Sequence, residues 1–130
     1  YYVADKAMAS QAPFLRNATD YPDMQDLLQC ADVLLTDYSS CMWDFSLMHK
    51  PCFLYARDIS EYRGERDFYT SIEDWPFPLA ADNDELAQVI ADFDENTYRA
   101  AVDRHHEELG STESGNAARQ CAERIAAFLK

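Results

Sequence analysis

The run Thr36-Asp37-Tyr38-Ser39-Ser40 follows the apolar residues Val33-Leu34-Leu35 and leads directly into Cys41-Met42-Trp43-Asp44. An apolar strand that stops at hydroxyl residues and turns at once into a helix presents free backbone N–H groups and hydroxyls to a ligand. That is how α/β proteins hold phosphates. An exposed helix start adds about 0.3–1 kcal/mol in favour of a bound anion. Serine at this place is equally what an ordinary helix cap requires. Spacing alone leaves the phosphate cradle and the capped helix even. No glycine-rich loop accompanies the corner, so neither a Walker motif nor a dinucleotide fingerprint is present.

Charged residues near the corner carry the next signal. Asp37 ends the strand, and Asp44 lies one turn into the helix between the bulky Trp43 and Phe45. An acid between two packed aromatics points to a hydrogen-bonded role; the alternative is a plain surface position. Arg57, Asp58, Tyr62, Arg63 and Arg66 follow a second apolar run, on the same sheet edge as the corner. Guanidinium groups there would neutralise a diphosphate, or the segment is a solvated charged loop. Gly115-Asn116-Ala117-Ala118-Arg119 opens a later helix and offers a second anion site or a simple helix start.

The net charge is −13, with only 11 Lys and Arg. An anionic substrate must therefore be held by a local cluster, drawn from Lys50, Arg57, Arg63, Arg66 and Arg119. That charge balance argues against unspecific nucleic-acid binding and against an electrostatic anchor to anionic lipid. His49 falls near a helix end, where the dipole satisfies it. His105 lies on an apolar stripe with His106 beside it. None of the three has a Ser or Cys at recognisable spacing, so a hydrolase triad is not expected. Cys30, Cys41, Cys52 and Cys121 form no Cys-x-x-Cys pair, so no metal site is expected. They read as reduced, buried core cysteines of a cytosolic protein.

A chain of 130 residues that is 48% hydrophobic has material for one domain with a real core, taken as residues 1–130. No apolar stretch reaches the roughly 20 residues needed to cross a membrane. The first residues carry no Met start and no signal peptide, so the chain reads as a piece of a larger protein. Residues 1–5 close a strand, and residues 6–22 are a short helix plus loop. A helix runs from Met24 through Ala31 behind an Asp23 cap. Val33 to Thr36 is a uniformly apolar, buried strand of the parallel kind. A helix follows over residues 40–49, with Met42, Phe45 and Met48 on one stripe, and Lys50-Pro51 ends it. Residues 52–56 form a second buried strand, giving a parallel βαβ unit. Residues 57–80 are a long aromatic loop. The last third holds helices with stripes Leu86, Val89, Ile90, Phe93 and then Tyr98, Ala101, Val102, His105. A final stripe is Ala118, Cys121, Ala122, Ile125 and Leu129.

Thr36-Asp37-Tyr38-Ser39-Ser40, Trp43-Asp44-Phe45 and Lys50-Pro51 together resemble the signature of the CDP-glycerol glycerophosphotransferases, the teichoic-acid-type polymerases and primases. The likeness continues through Tyr55-Ala56-Arg57-Asp58, Tyr62, Phe68-Tyr69 and Pro76-Phe77-Pro78. It runs on through Glu85-Leu86, Phe93-Asp94 and Tyr98 to Gly115-Asn116-Ala117, covering about residues 20–130. The resemblance implies a Rossmann-like three-layer parallel sheet, the C-terminal, donor-binding half of a two-domain GT-B enzyme. It implies transfer of glycerol phosphate from CDP-glycerol, or a similar CDP-linked donor, to a hydroxyl of a cell-surface polymer. The acceptor would be bound through an N-terminal half, at the inner face of the cell membrane, with no cofactor and no metal. Substrate contacts would come from Thr36, Asp37, Ser39, Ser40, Asp44, Arg57, Asp58, Tyr62, Asn116 and Arg119, with no catalytic residue assigned in this half. Two departures stand out. The family's His-Pro after the first strand is replaced by Val3-Ala4-Asp5-Lys6-Ala7, and its Arg-Gly-Phe-Tyr reads Arg66-Asp67-Phe68-Tyr69. The alternatives are a GT-B domain using a nucleotide sugar, or a non-catalytic Rossmann-like binding module.

Overall fold

The computed structural model describes residues 13–65 and 68–129, with the side chains of Arg63 and Glu65 left aside. The strand expected at residues 1–5, the start of the 6–22 segment, and Arg66 lie outside the described residues. Asp23 opens α1 (Met24–Cys30) by accepting from Gln25 N at 2.8 Å. One residue type at one place thus satisfies a donor that the first turn leaves unpaired. β1 (Leu34–Thr36) then pairs in parallel with β2 (Cys52–Tyr55), in the register Leu34↔Cys52, Leu35↔Phe53 and Thr36↔Leu54. The connection is α2 (Cys41–Ser46), which makes the expected βαβ unit.

α2 is shorter than expected. Leu47 caps it, and His49 sits in the left-handed region at φ 56°. That backbone state cannot continue a helix, so the chain turns before Pro51 rather than at it. β1 also departs from expectation. It is not buried on both sides: Val33 and Leu35 are 53% and 52% exposed. The two residues alternate with Leu34 and Thr36, so they share one face, which is open at β1 although Phe53, in register with Leu35, is buried against Phe93.

The segment expected as one long loop contains three elements. α3 (Ile59–Glu65) follows β2, a 3₁₀ turn covers Ile72–Asp74, and β3 (Leu79–Ala80) adds a third parallel strand. β3 pairs Leu79 with Leu54 and Ala80 with Tyr55, giving the strand order β1-β2-β3. β2 is the central strand, and Cys52, Phe53 and Leu54 are all buried. α4 (Asn83–Ala91) starts at Asp82, whose Oδ1 accepts from Asp84 N and Glu85 N. α5 (Glu95–Glu108) starts at Asp94 in the same way and buries Tyr98, Val102 and His105. The core joins Leu28, Met42, Phe45, Cys52, Leu54, Ile72, Phe77, Tyr98 and Val102. It therefore lies between the sheet and the layer made by α2 and α5.

α6 (Ala117–Phe128) follows the left-handed Gly110 and Gly115. Its expected stripe is present in sequence but unpartnered in space. Ala118, Cys121, Ala122, Ile125 and Leu129 are all exposed, so α6 does not join this core. Nor are all four cysteines core residues. Cys52 is fully buried and Cys41 half-buried, while Cys30 and Cys121 are exposed; all four are free thiols. Burial pushes the Cys52 thiol up to about 12. No helix among the described residues is long and apolar enough to cross a membrane.

Candidate functional site

The corner is built by its own short-range bonds. Asp37 Oδ1 accepts from Ser39 N at 2.9 Å, which turns the chain just after β1. Ser39 O and Ser40 O then accept from Met42 N and Trp43 N at 3.1 and 3.0 Å, so α2 starts on tight i→i+3 bonds. Ser40 is already helical, at φ −59° and ψ −16°, and its hydroxyl makes no cap bond. The serine-cap reading is thus corrected. Ser39 and Ser40 are exposed, and their hydroxyls have no partner among the described residues. Thr36 Oγ1 instead points toward α2, 3.8 Å from Cys41 Sγ.

The loop after β2 does meet the corner, as expected of two parallel strands that share a carboxyl end. Tyr38 Oη donates to Asp58 Oδ1 at 2.6 Å. The Tyr38 ring lies 4.4 Å from Tyr62 and 5.5 Å from Phe68, and Tyr62 stacks on Phe68 at 5.0 Å. Burial holds the Tyr38 phenol well above its ordinary range, and the bond to Asp58 and the charges of Asp58 and Asp37 add to the shift. Arg57, next to Asp58, is exposed and has no hydrogen bond or ion pair among the described residues. A hollow of about 410 Å³ opens at this edge between Leu35, Thr36, Asp37 and Tyr55. Tyr55 Oη donates to Asn83 Oδ1 at 2.7 Å, tying the end of β2 to the start of α4.

The other expected residues lie elsewhere or serve other partners. Asp44 is hydrogen-bonded as expected, but to α1, accepting from Gln25 Nε2 at 3.0 Å. Lys50 is spent on carbonyls: its Nζ donates to Gln29 O at 2.8 Å and Ala31 O at 2.7 Å. Asn116 and Arg119 bond to each other at the start of α6. Among the described residues no hydrogen bond, ion pair or ring contact links them to the corner.

The histidines form a seam between α2 and α5. His49 Nε2 pairs with Asp103 Oδ1 at 2.7 Å, so a side chain satisfies it rather than the helix dipole. Ser46 Oγ donates to Trp43 O at 2.7 Å and lies 3.0 Å from His106 Nε2. A hydroxyl has one proton to give, so Ser46 accepts from His106 and is no activated nucleophile. His105 stacks on Trp43 at 5.1 Å and 9°, with its Nε2 buried and unpartnered. Burial and the neighbouring His106 hold it below the ordinary histidine value. A cavity of about 650 Å³ lies beside this seam and is lined in part by Glu73, Asp74, Trp75, Arg104, His105 and Glu108. Three carboxylates there face one guanidinium, whereas the smaller hollow at the corner carries the single carboxylate of Asp37. No group of His, Cys, Asp and Glu placed to hold a metal exists among the described residues.

Tyr38, Tyr55 and Asn83 are the residues that spacing did not single out. The available signal was Tyr38 itself, an aromatic held inside a polar turn.

A three-stranded parallel sheet with flanking helices, with Ser39, Ser40 and Arg57 exposed near its strand ends, defines an α/β domain of the Rossmann-like class. The chain belongs to the CDP-glycerol:poly(glycerophosphate) glycerophosphotransferase family, whose model matches residues 1–127. It is 30% identical over 130 residues to the teichoic acid ribitol-phosphate primase of Bacillus spizizenii, covering 98% of this chain and 33% of that protein. It is also 30% identical over 129 residues to the teichoic acid glycerol-phosphate transferase of Staphylococcus aureus, covering 96% and 33%. Among solved structures it is similar to the wall teichoic acid polymerase TagF at a TM-score of 0.69 and 30% identity, covering 85% of this chain and 28% of TagF. A TagF variant with His replaced by Asn and soaked with CDPG gives 0.70. These likenesses bear out the parallel α/β fold expected of a GT-B-like enzyme. The chain spans about a third of the length of the curated relatives it matches.

Proposed function

We propose that this chain is the donor-binding part of a transferase that moves glycerol phosphate from CDP-glycerol to a hydroxyl of a cell-surface polymer. The observation that carries the reading is that the exposed hydroxyls of Ser39 and Ser40 and the exposed Arg57, all without a partner among the described residues, follow the carboxyl ends of β1 and β2. Ligands of open α/β sheets bind at that edge. A diphosphate seated there would accept from both hydroxyls and from the Arg57 guanidinium. Asp37 keeps the turn in shape through Ser39 N.

In the reaction the acceptor oxygen attacks the β-phosphorus, the bond from that phosphorus to the bridging oxygen breaks, and CMP leaves. The corner's contribution is to hold both phosphates and to stabilise the charge that grows on their oxygens. Acceptor binding and the base belong to a further domain of a two-domain protein, working at the inner face of the cell membrane. Family membership and the TagF complex soaked with CDPG support a CDP-linked donor.

Isothermal titration of the protein with CDP-glycerol and with UDP-glucose tests this reading. CDP-glycerol should bind at least tenfold more tightly. Ser39→Ala with Ser40→Ala should weaken it about a hundredfold or more, since two hydrogen bonds to a charged group are lost, each worth about 1.5–3 kcal/mol. Preference for UDP-glucose, or indifference to loss of both hydroxyls, would sink the proposal.

A further inference from the structure

Arg57 and Asp58 are adjacent in sequence and follow β2 directly, so the loop brings one positive and one negative charge to the same edge. Left to themselves they would neutralise each other, and the carboxylate would repel an approaching phosphate. The structure separates them. Asp58 Oδ1 accepts from Tyr38 Oη at 2.6 Å, a short charge-assisted bond, while Arg57 keeps no partner among the described residues. Three contacts fix the phenol that does this. Its ring lies 4.4 Å from Tyr62 and 5.5 Å from Phe68, and Tyr62 packs on Phe68 at 5.0 Å. Among the described residues the charged and titratable groups acting on the hydroxyl are Asp58, Asp37 and Tyr62, none of them a cation. The phenol therefore stays protonated and remains a donor.

We propose that Tyr38 sets the charge of the corner: by holding the Asp58 carboxylate it keeps that group off Arg57 and leaves the guanidinium free for an anionic donor. Tyr38 is thus a positioning residue that acts through Asp58, and it discriminates in favour of a ligand carrying two phosphates. The inference rests on the donor-site reading of this corner. It gives the tyrosine of the Thr-Asp-Tyr-Ser-Ser run a reason of its own, beyond the two serines. It also assigns Asp58 to the protein's own charge arrangement rather than to the ligand.

Titration calorimetry with CDP-glycerol, on the protein and three variants, tests it. Tyr38→Phe keeps the ring contacts and removes only the hydroxyl. It should weaken CDP-glycerol about tenfold, while the affinity for cytidine, which carries no phosphate, changes less than twofold. Adding Asp58→Asn to Tyr38→Phe should recover most of that loss, because the freed carboxylate is then gone. Arg57→Ala should weaken CDP-glycerol as well, and Tyr38→Phe should cost little more in that background. Thermal melts of each variant show that it is folded at the titration temperature. A hydroxyl that served only to brace the loop would give no recovery on adding Asp58→Asn. That result, or a Tyr38→Phe protein that binds CDP-glycerol as the parent does, overturns the inference. A parent protein that does not bind CDP-glycerol at all fails the donor-site reading first, and this inference with it.

Discussion

Replacing Lys50 with Met separates a structural cation from a ligand-binding one. The Lys50 ammonium donates to Gln29 O and Ala31 O at 2.8 and 2.7 Å, at the end of α1, while its own carbonyl accepts from Tyr98 Oη at 3.0 Å. The last carbonyls of a helix lack intrahelical partners, and a cation there satisfies them. Lys50→Met keeps the length and apolar stem of the side chain and removes both bonds. A hydrogen bond to a charged group contributes about 1.5–3 kcal/mol when desolvated. The bond to Gln29 O is exposed and is counted at little; the bond to Ala31 O is partly buried and carries most of the effect. The expected loss is about 2 kcal/mol, or a fall of about 8 °C in the unfolding midpoint of a chain this size. Urea unfolding followed by circular dichroism would show a lower midpoint with an unchanged slope. CDP-glycerol affinity, measured well below that midpoint, should match the parent. Unchanged stability together with a tenfold weaker donor would refute the assignment, because Lys50 would then be spent on the ligand.

Phe45→Ala should cost about 3–5 kcal/mol in the same unfolding assay, because the ring is fully buried at the centre of the core and leaves a cavity. A loss under 1 kcal/mol would mean that α2 is not packed as described. His105 gives a pH signature. Its folded-state value lies below the ordinary 6.5, so the unfolded chain binds a proton that the folded chain refuses. Stability should be constant above about pH 7 and fall as pH drops through 6.5 toward the folded value, and His105→Phe should flatten that slope. An equally steep slope in the variant would assign the proton to another group.

The β1–corner–α2–β2 unit was legible because its signals are local: two apolar runs, a turn of polar residues and Pro51. The caps at Asp23 and Asp82 were legible for the same reason. β3 was not, because Leu79 and Ala80 become a strand only by pairing with Leu54 and Tyr55, some 25 residues earlier. α3 was hidden by Gly64 and by the lack of an apolar period in Ile59-Ser60-Glu61-Tyr62-Arg63-Gly64-Glu65. The extent of α2 turned on the left-handed backbone at His49, a residue type that gives little warning of it. At the candidate site, the sheet edge that the corner shares with the loop after β2 could be read from spacing. The partnership of Tyr38 with Asp58 could not, since a side-chain bond across 20 residues leaves no periodic mark. The stripe on α6 was legible, but what it packs against is not a property of its own sequence.

The seam between α2 and α5 bears on how the corner can be moved to another protein. Residues 34–55 carry the strands, the turn and α2, and look like a self-sufficient cassette. Yet His49 answers to Asp103, Ser46 to His106 and Trp43 to His105. Lys50 in turn reaches back to Gln29 and Ala31. A graft of 34–55 alone would strand all of these groups and uncover Met42 and Phe45. The smallest portable unit is therefore the stretch from α1 to the end of α5, roughly four times as long as the 34–55 segment it exists to hold.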